Sequence, residues 1–454
     1  MEKYFKLKEN GTDVRKEVLA GITTFLAMAY IIAVNPNILE VTGMPKGAVL
    51  TATCLTAGLA TILMGLYANL PFALASGMGL NAFFAYTVVL EKGIPWEIAL
   101  AAVFVEGIIF IILSLTKVRE AVVNAIPATI KIAVTAGIGL FIAFIGFVGA
   151  GIVVNNEATL LSLGDFISPT SIVTCIGILI IVVLSKKNVR GAILWGILAS
   201  TVIAWTYAFV NPVIAAEKYH IYLPSGIFKY ESLKPIVFKA ISLDKSFFLD
   251  SANLFTFITV VFTFLFVDFF DTVGTLVGVA SKVGMVDKDG KVKNAGKALL
   301  VDSIGTTFGA LMGTSTVTTY VESSAGVAAG GRTGLTSVAT GILFLLAMFF
   351  SPIFMAIPAC ATAPALIVVG FYMMENVINV DFADITEGIP AFLTIALMPL
   401  TYSIGDGLTL GILSYVVINV INNFFTKDKS ERKEISIVMY ILAFLFLVKL
   451  IIAS

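Results

Sequence analysis

The sequence predicts an all-α polytopic membrane protein whose 14 transmembrane segments form two inverted 7-span repeats. Three observations lead to this fold class: the composition, a long succession of apolar segments, and short motifs that recur in both halves. Of the 454 residues, 58% are hydrophobic and 13% are charged, about half the charged share of a soluble domain. A soluble core of this length cannot hide so much apolar surface, so lipid must be the solvent for most of the chain.

Fourteen apolar segments are long enough, or nearly so, to cross a bilayer. Their approximate limits are 17–39, 49–70, 71–90, 96–116, 126–150, 168–187, 191–211, 255–281, 296–313, 314–331, 334–353, 358–378, 386–403 and 405–425. A further apolar stretch, 435–454, is compatible with a span, an interfacial helix or packing on the outside of the bundle.

The basic residues predict the orientation. If the N-terminus is inside, 20 of the 29 Lys and Arg residues fall in cytoplasmic segments and seven in external ones, five of them in one long loop. The positive-inside rule therefore predicts a cytoplasmic N-terminus in the inner or plasma membrane. Zero net charge gives no reason to expect a nucleic-acid partner, and three isolated cysteines indicate neither disulfides nor a metal site.

Short motifs recur in the same order in the two halves. Leu-Met-Gly occurs at 63–65 and 311–313, Ala-Ile-Pro-Ala at 125–128 and 356–359, and Gly-Ile-Leu at 196–198 and 411–413. Each Ala-Ile-Pro-Ala is followed at the same spacing by a glycine, Gly139 or Gly370. Seven spans per copy, an odd number, turn the second copy upside-down relative to the first. Inverted repeats are typical of alternating-access transporters, with the site at the midplane where the copies meet.

The third and tenth spans are interrupted at corresponding places. The stretch 70–86, LPFALASGMGLNAFFAY, and the stretch 314–331, TSTVTTYVESSAGVAAGG, both become rich in Gly, Ala and Ser. Each predicts a short extended piece and then a half-helix starting near Ser76 or Ser323–Ser324, where serine serves as N-cap. Extended backbone at membrane depth needs a partner, and the simplest is the equivalent piece of the other repeat. The alternative is that the small residues only permit close helix packing.

Five acidic residues fall well inside predicted spans: Glu106, Asp268, Asp271, Asp302 and Glu322. Each costs about 2.5–3.5 kcal/mol at the centre of a helix in lipid, so each calls for an explanation. Asp268 and Asp271 share a face of the eighth span with Thr275, and Glu322 precedes the half-helix of the tenth, whose dipole stabilises a negative charge. We expect Asp271 and Glu322 to be functional. For Asp302 a helix–helix hydrogen bond is equally compatible, and for Glu106 a structural role is favoured.

The residue types in the spans restrict the ligand. No Arg lies deep in a span and the one histidine, His220, lies in an external loop, which argues against an anionic substrate. Carboxylates, the Asn81 amide and half-helix N–H groups suit an uncharged molecule with N–H donors and ring acceptors, and flanking aromatic residues suit a flat ring. A nucleobase is favoured, although an amide or a neutral amino-acid-like solute is also allowed. A carboxylate that must be neutral in one step is in addition a natural proton carrier.

Three longer motifs resemble a known family: ASGMGLNAFFAY (75–86), VDFFDTVGT (267–275) and TTYVESSAGVAAGGRTG (318–334). They resemble the adenine/guanine/hypoxanthine permeases, the AzgA-like branch of the nucleobase–cation symporters, over about residues 10–425. The resemblance implies the uracil-permease fold, with a core domain of spans 1–4 and 8–11 and a gate domain of spans 5–7 and 12–14. It implies import of neutral purine bases by proton symport without a cofactor or metal, and a homodimer as a property of the fold.

The resemblance also implies residue roles. Glu322 resembles the glutamate that holds the base, and Asp268, Asp271 and Asn81 resemble further polar contacts, with one aspartate serving translocation or proton coupling. Uracil-type relatives have an acid–x–x–Gly–His pattern where this chain ends in Thr275, which leaves proton handling to carboxylates. The candidate substrate-binding residues are Glu322, Asp268, Asn81, Phe269, Ser323 and Gly77, and the candidate proton-coupling residues are Asp271 and Glu322.

The predicted organisation is a cytoplasmic tail (1–16), a core domain (17–116 and 255–353), a gate domain (118–211 and 354–425), an external loop (212–254) and a basic and apolar C-terminal stretch (426–454). An anion carrier of the same fold is disfavoured because midplane carboxylates repel anions. A channel is disfavoured because no continuous polar stripe runs through several helices, and an enzyme because no span holds a Ser/His or metal-ligand constellation. The preferred purine and the choice of proton or sodium stay open.

Overall fold

The computed structural model describes residues 2–116, 126–243, 245–282, 294–426, 428 and 432–453, with only the backbone at some helical positions such as 269–271. The chain is mainly helical. The helices are α1 (Glu2–Phe5), α2 (Val14–Met28), α3 (Ile31–Glu40), α4 (Lys46–Leu63), α5 (Met78–Ala82), α6 (Trp96–Leu115), α7 (Ala128–Gly149), α8 (Pro169–Lys186), α9 (Ala192–Val210), α10 (Pro212–Tyr219), α11 (Ser251–Lys282), α12 (Ala295–Met312), α13 (Ser323–Ala328), α14 (Gly334–Ala347), α15 (Ser351–Met355), α16 (Ala359–Met374), α17 (Ile385–Leu400), α18 (Ile404–Phe425) and α19 (Ile437–Ala453). The strands are β1 (Leu74–Ser76), β2 (Val153–Asn156), β3 (Leu160–Leu163) and β4 (Val317–Thr319).

Nine helices in the described ranges are long and apolar enough to cross a membrane, and each coincides with a predicted span. The other five predicted segments form shorter or less apolar helices, among them α14 and α17. A polytopic, mainly helical membrane protein is therefore confirmed, whereas the count of 14 spans stays a prediction. The apolar C-terminal stretch forms α19, which packs against α18.

The chain divides into two compact units, Met1–Ile111 with Ile145–Val368, and Ile112–Phe144 with Val369–Ser454. In the first unit, α14 packs on both α2 and α4. Glycines bring α4 and α14 together, because a Cβ at Gly341 would lie 2.5 Å from the carbonyl oxygen of Gly58. The fully buried carboxylate of Glu17 in α2 accepts hydrogen bonds from the Arg332 N–H (2.8 Å) and the Thr336 hydroxyl (2.6 Å), which fixes the start of α14.

Strands β1 and β4 form a buried antiparallel pair in which Leu74 faces Thr319 and Ser76 faces Val317. The extended pieces predicted in spans three and ten, and their pairing with each other, are confirmed. Helix α5 follows β1 and continues as a π-helix over Phe83–Glu91, and α13 follows β4. Because the two strands are antiparallel, the two half-helices leave opposite ends of the pair.

The predicted serine N-caps are wrong. Gly77 and Glu322 occupy the N-cap positions of α5 and α13, and neither helix has a side-chain cap. The hydroxyl of Ser76 instead pairs with that of Thr314 (2.7 Å). The hydroxyl of Ser323 accepts a hydrogen bond from the Ala73 N–H (3.0 Å). Both hydroxyls are buried at the β1–β4 pair and its flanking residues, which we call the strand crossing. There the neighbouring polar groups need partners more than a helix end does.

In the second unit, α17 and α18 pack against each other, and α7 meets α16 at the repeat-related glycines. A Cβ at Gly139 would lie 2.6 Å from the carbonyl oxygen of Gly370. At the start of the predicted segment 386–403, the ammonium group of Lys433 binds Asp384 at 2.6 Å and Glu387 at 2.7 Å. The Lys433 ammonium lowers the pKa of Asp384. Burial alone would lower the pKa of Lys433, but its bonds to Asp384 and Glu387 raise it overall.

We expect Lys433→Met to destabilise the protein by about 1 kcal/mol at neutral pH, because the cluster is partly exposed and screened by solvent. The lowered pKa of Asp384 means that its contribution is complete above the ordinary aspartate pKa and lost as pH falls through the lowered value. The raised pKa of Lys433 means that its contribution is lost as pH rises through the raised value. Thermal unfolding of both proteins across this pH range measures the difference. A gap that persists in acid would show that the lysine acts through packing alone.

Candidate substrate site

The strand crossing engages backbone groups beside both half-helices. The N–H of Gly77 donates to the carbonyl of Thr316 (3.0 Å), and the Gly77 carbonyl accepts from the N–H of Asn81 (2.8 Å). The Tyr320 N–H donates to the Ala73 carbonyl (2.9 Å). Two of the candidate substrate residues, Gly77 and Ser323, therefore hold the crossing together, and contact of either with a ligand stays a prediction.

Glu322 is partly exposed at the start of α13, where the hydroxyl of Tyr30 donates a hydrogen bond to its Oε1 (2.6 Å). Tyr30 is itself buried, between α2 and α3. The remaining carboxylate oxygen lies in the favourable field of a helix start. This arrangement orients an acceptor of hydrogen bonds. Sequence reasoning missed Tyr30, although its hydroxyl in the middle of the first predicted span was an available signal.

Asn81 is fully buried on α5. Neither its amide nitrogen nor its amide oxygen has a hydrogen-bond partner within the described part of the protein. Buried amides in folded proteins nearly always have partners, and an exception calls for an explanation. An amide offers two donors and an acceptor, so Asn81 is suited to bind a ligand that presents both an acceptor and a donor on one edge.

In the folded protein Asp268 lies near Glu106 and Asp302, two acids that no sequence pattern groups with it. Glu106 on α6, Asp268 on α11 and Asp302 on α12 are all fully buried. The hydroxyl of Thr272 lies 3.3 Å from Oδ1 of Asp268 and 2.9 Å from Oδ2 of Asp302. The hydroxyl of Thr316 donates to Oε2 of Glu106 at 3.0 Å. We call Glu106, Asp268 and Asp302 the acid cluster.

The structure places the rings of Phe83 and Phe84 in apolar packing against Phe264. The rings of Phe83 and Phe264 meet edge to face with centroids 4.9 Å apart, and both residues are buried. The hydroxyl of Tyr320 donates to the Ser76 carbonyl. The side chains of Phe269 and Asp271 lie outside the described residues, so their predicted roles remain predictions.

A series of hydrogen-bonded polar side chains, which the sequence did not indicate, connects α3 to the strand crossing. The amide nitrogen of Asn35 donates to the hydroxyls of Thr53 (2.7 Å) and Thr314 (3.0 Å). Thr314 in turn pairs with Ser76 of β1. These residues are buried, so their hydrogen bonds fix the crossing from the side of the first span.

Comparison with known proteins agrees with this architecture. The model of the Permease family matches residues 15–409. The adenine permease AdeP of Escherichia coli is 41% identical over 99% of this chain and 96% of its own length. The guanine/hypoxanthine permease PbuO of Bacillus subtilis is 43% identical over 99% of this chain and 100% of its own length.

Among solved structures, the transmembrane domain of the cyanobacterial bicarbonate transporter BicA matches with a TM-score of 0.64 and 14% identity, over 87% of this chain and 97% of that one. At this identity the similarity shows the fold alone. The sequence relatives cover nearly the whole chain and the family match covers most of it, which confirms the resemblance found in the motifs. The chain belongs to the Permease family: it is a multi-pass membrane permease, similar to adenine and guanine/hypoxanthine permeases, and not an enzyme.

Proposed function

We propose that this permease is a secondary active transporter that imports neutral purine nucleobases (hypoxanthine, guanine or adenine) by proton symport. The observation that carries the proposal is a buried amide, Asn81, which has no partner in the described part of the protein, on one half-helix, and a partly exposed carboxylate, Glu322, at the start of the other. An asparagine amide matches a purine edge with adjacent donor and acceptor. A carboxylate accepts a ring N–H. The printed names of the relatives support the same substrate class.

The proposed mechanism is alternating access in a fold of 14 spans and two inverted repeats. Two contacts support the repeats, because each joins corresponding segments of the two halves. Strand β1 pairs with β4, and Gly139 contacts Gly370. Inverted repeats place the site where the copies meet, which is where the two half-helices start. The proposal includes a cytoplasmic N-terminus, the inner or plasma membrane and a homodimer.

We expect cells that produce this protein to take up labelled hypoxanthine, guanine or adenine in a saturable manner. Unlabelled purines should compete, while uracil should not. A protonophore should abolish accumulation, because a proton moving through 100 mV supplies about 2.3 kcal/mol, or roughly fifty-fold accumulation of a neutral solute. Cells without the protein are the control. Uptake that no purine inhibits would contradict the proposal.

An anion carrier is the second candidate, because the fold is similar to that of a bicarbonate transporter. Glu322 and the buried acid cluster oppose it, since carboxylates repel an anion. The two candidates differ in competition. For a purine carrier, sulfate and bicarbonate should leave hypoxanthine uptake unchanged, whereas anion uptake without purine competition would favour the second candidate.

A further inference from the structure

We propose that Glu106 and Asp268 hold the coupling proton between them, beside Asp302, so that Glu106 is a proton-coupling residue. This inference rests on the proposed proton symport. It differs from the roles predicted from sequence, which placed Asp268 on the base, the proton on Asp271 and Glu322, and Glu106 in a structural role.

The three acids come from different helices and meet beside the strand crossing. Gly107 lets α6 approach α12, because a Cβ there would lie 2.8 Å from the backbone nitrogen of Thr307. This close approach sets Glu106 against the other two acids. Glu106 and Asp268 lie against alternate residues of the same extended segment, because Thr316 donates to Glu106 (3.0 Å) while Thr318 pairs with Thr272 (2.9 Å), which donates to Asp268. The two carboxyl groups are therefore hydrogen-bonding neighbours.

Among the residues that the structure describes, the Thr316 hydroxyl is the hydrogen-bond donor to Glu106, at Oε2. The hydroxyl of Thr272 has one hydrogen for the two acids within its reach. Oε1 of Glu106 is buried and has no donor among the residues that the structure describes. Two carboxyl groups can share a hydrogen bond only if one of them is protonated, so a proton makes the contact between Glu106 and Asp268 attractive.

A proton between Glu106 and Asp268 also fits the described surroundings better than a metal ion or a basic side chain would. No Lys or Arg of the described ranges forms an ion pair with Glu106. Those ranges also contain no group of acidic, His or Cys residues suited to a metal ion. Buried like charges without a counter-charge are costly. The titratable groups that face one another are Glu106 from α6, Asp268 from α11 and Asp302 from α12, while β4 contributes threonines.

The acid cluster is linked to the proposed substrate site by consecutive hydrogen bonds. Thr316 donates its hydroxyl to Glu106 and accepts the Gly77 N–H at its carbonyl. Gly77 in turn accepts the N–H of Asn81. A proton taken from water on one side turns one carboxylate of the pair into a carboxylic acid, and its release to water on the other side restores the carboxylate. Through these bonds, the charge of the pair acts on the half-helix that carries Asn81.

The test uses the full-length protein in liposomes, with hypoxanthine as the probe. Glu106→Gln keeps the size of the side chain but cannot exchange the proton, and Glu97→Gln on the same helix is the control. We expect Glu106→Gln to exchange hypoxanthine across the membrane while its accumulation at 100 mV falls from about fifty-fold to one. Hypoxanthine binding should lose its pH dependence in this variant and keep it in Glu97→Gln. Accumulation by Glu106→Gln at the wild-type level would overturn the inference.

If Glu106→Gln does not fold, a measurement on the wild-type protein tests the inference instead. Infrared difference spectra between acidic and basic pH should show the carbonyl band of a protonated carboxyl group. This band should disappear over the same pH range in which hypoxanthine binding changes. Absence of such a band overturns the inference. Failure of the proposed function looks different, because the wild-type protein would then neither exchange nor bind hypoxanthine.

Discussion

Glu322→Gln is expected to keep the fold and to lose between ten- and a hundredfold of the affinity for a purine. The carboxylate is partly exposed beside the start of α13, and one of its oxygens already accepts the Tyr30 hydroxyl. A ring N–H donated to a carboxylate is a charge-assisted bond of about 1.5–3 kcal/mol. Glutamine has the same shape but no charge, and its NH₂ group faces a donor when it points toward the ring. Equilibrium binding of labelled hypoxanthine to the purified variant measures the loss.

Tyr30→Phe is the matched control, because it removes the hydroxyl that orients Glu322 but leaves the negative charge. Its loss of affinity should be smaller than that of Glu322→Gln, since the carboxylate can still accept the ring N–H. Both variants should elute as folded protein in gel filtration. Unchanged affinity in a folded Glu322→Gln variant would assign Glu322 to the structure rather than to the substrate.

The interrupted spans were predictable because their signal is local. Pro71 after Leu70 and the β-branched residues of 314–319 disfavour helix where the chain crosses the membrane. In the bilayer, extended backbone must find a hydrogen-bonding partner. These two constraints, with the repeat of motifs, were enough to anticipate the β1–β4 pair.

The partners inside the site were not predictable, because they are separated by hundreds of residues. Tyr30 and Glu322 are 292 positions apart, and Thr316 and Glu106 are 210 apart. Glu106 was favoured as structural since no helix break surrounds it. Its place beside the other acids depends on how closely α6 approaches α12, the helix of Asp302, which Gly107 permits but the sequence does not indicate.

The predicted serine caps failed for a related reason. Serine is favoured at helix starts because its hydroxyl binds a free backbone N–H. At Ser76 and Ser323 the strand crossing supplies stronger competitors, the Thr314 hydroxyl and the Ala73 N–H. Local preference decides a position only where tertiary contacts leave the side chain free.

Asn81→Leu is expected to stabilise the substrate-free protein while it abolishes most purine binding. The amide is fully buried without a protein partner in the described structure, and such a group costs about 1–3 kcal/mol of stability. Leucine fills a similar volume without polar atoms. Two lost hydrogen bonds to a purine edge, each worth about 0.5–1.5 kcal/mol, correspond to roughly a five- to 150-fold loss of affinity. Thermal unfolding of the substrate-free variant and hypoxanthine binding measure the two effects.

Asn419→Leu is the control that separates a binding amide from a structural one. Asn419 is also fully buried, but its amide nitrogen donates to the carbonyls of Thr386 (3.2 Å) and Tyr415 (2.9 Å). Its replacement removes two hydrogen bonds that the folded protein makes, so Asn419→Leu should lower the melting temperature where Asn81→Leu raises it. If Asn81→Leu were destabilised like Asn419→Leu and still bound hypoxanthine, Asn81 would be a structural residue. The proposed site would then rest on Glu322 alone.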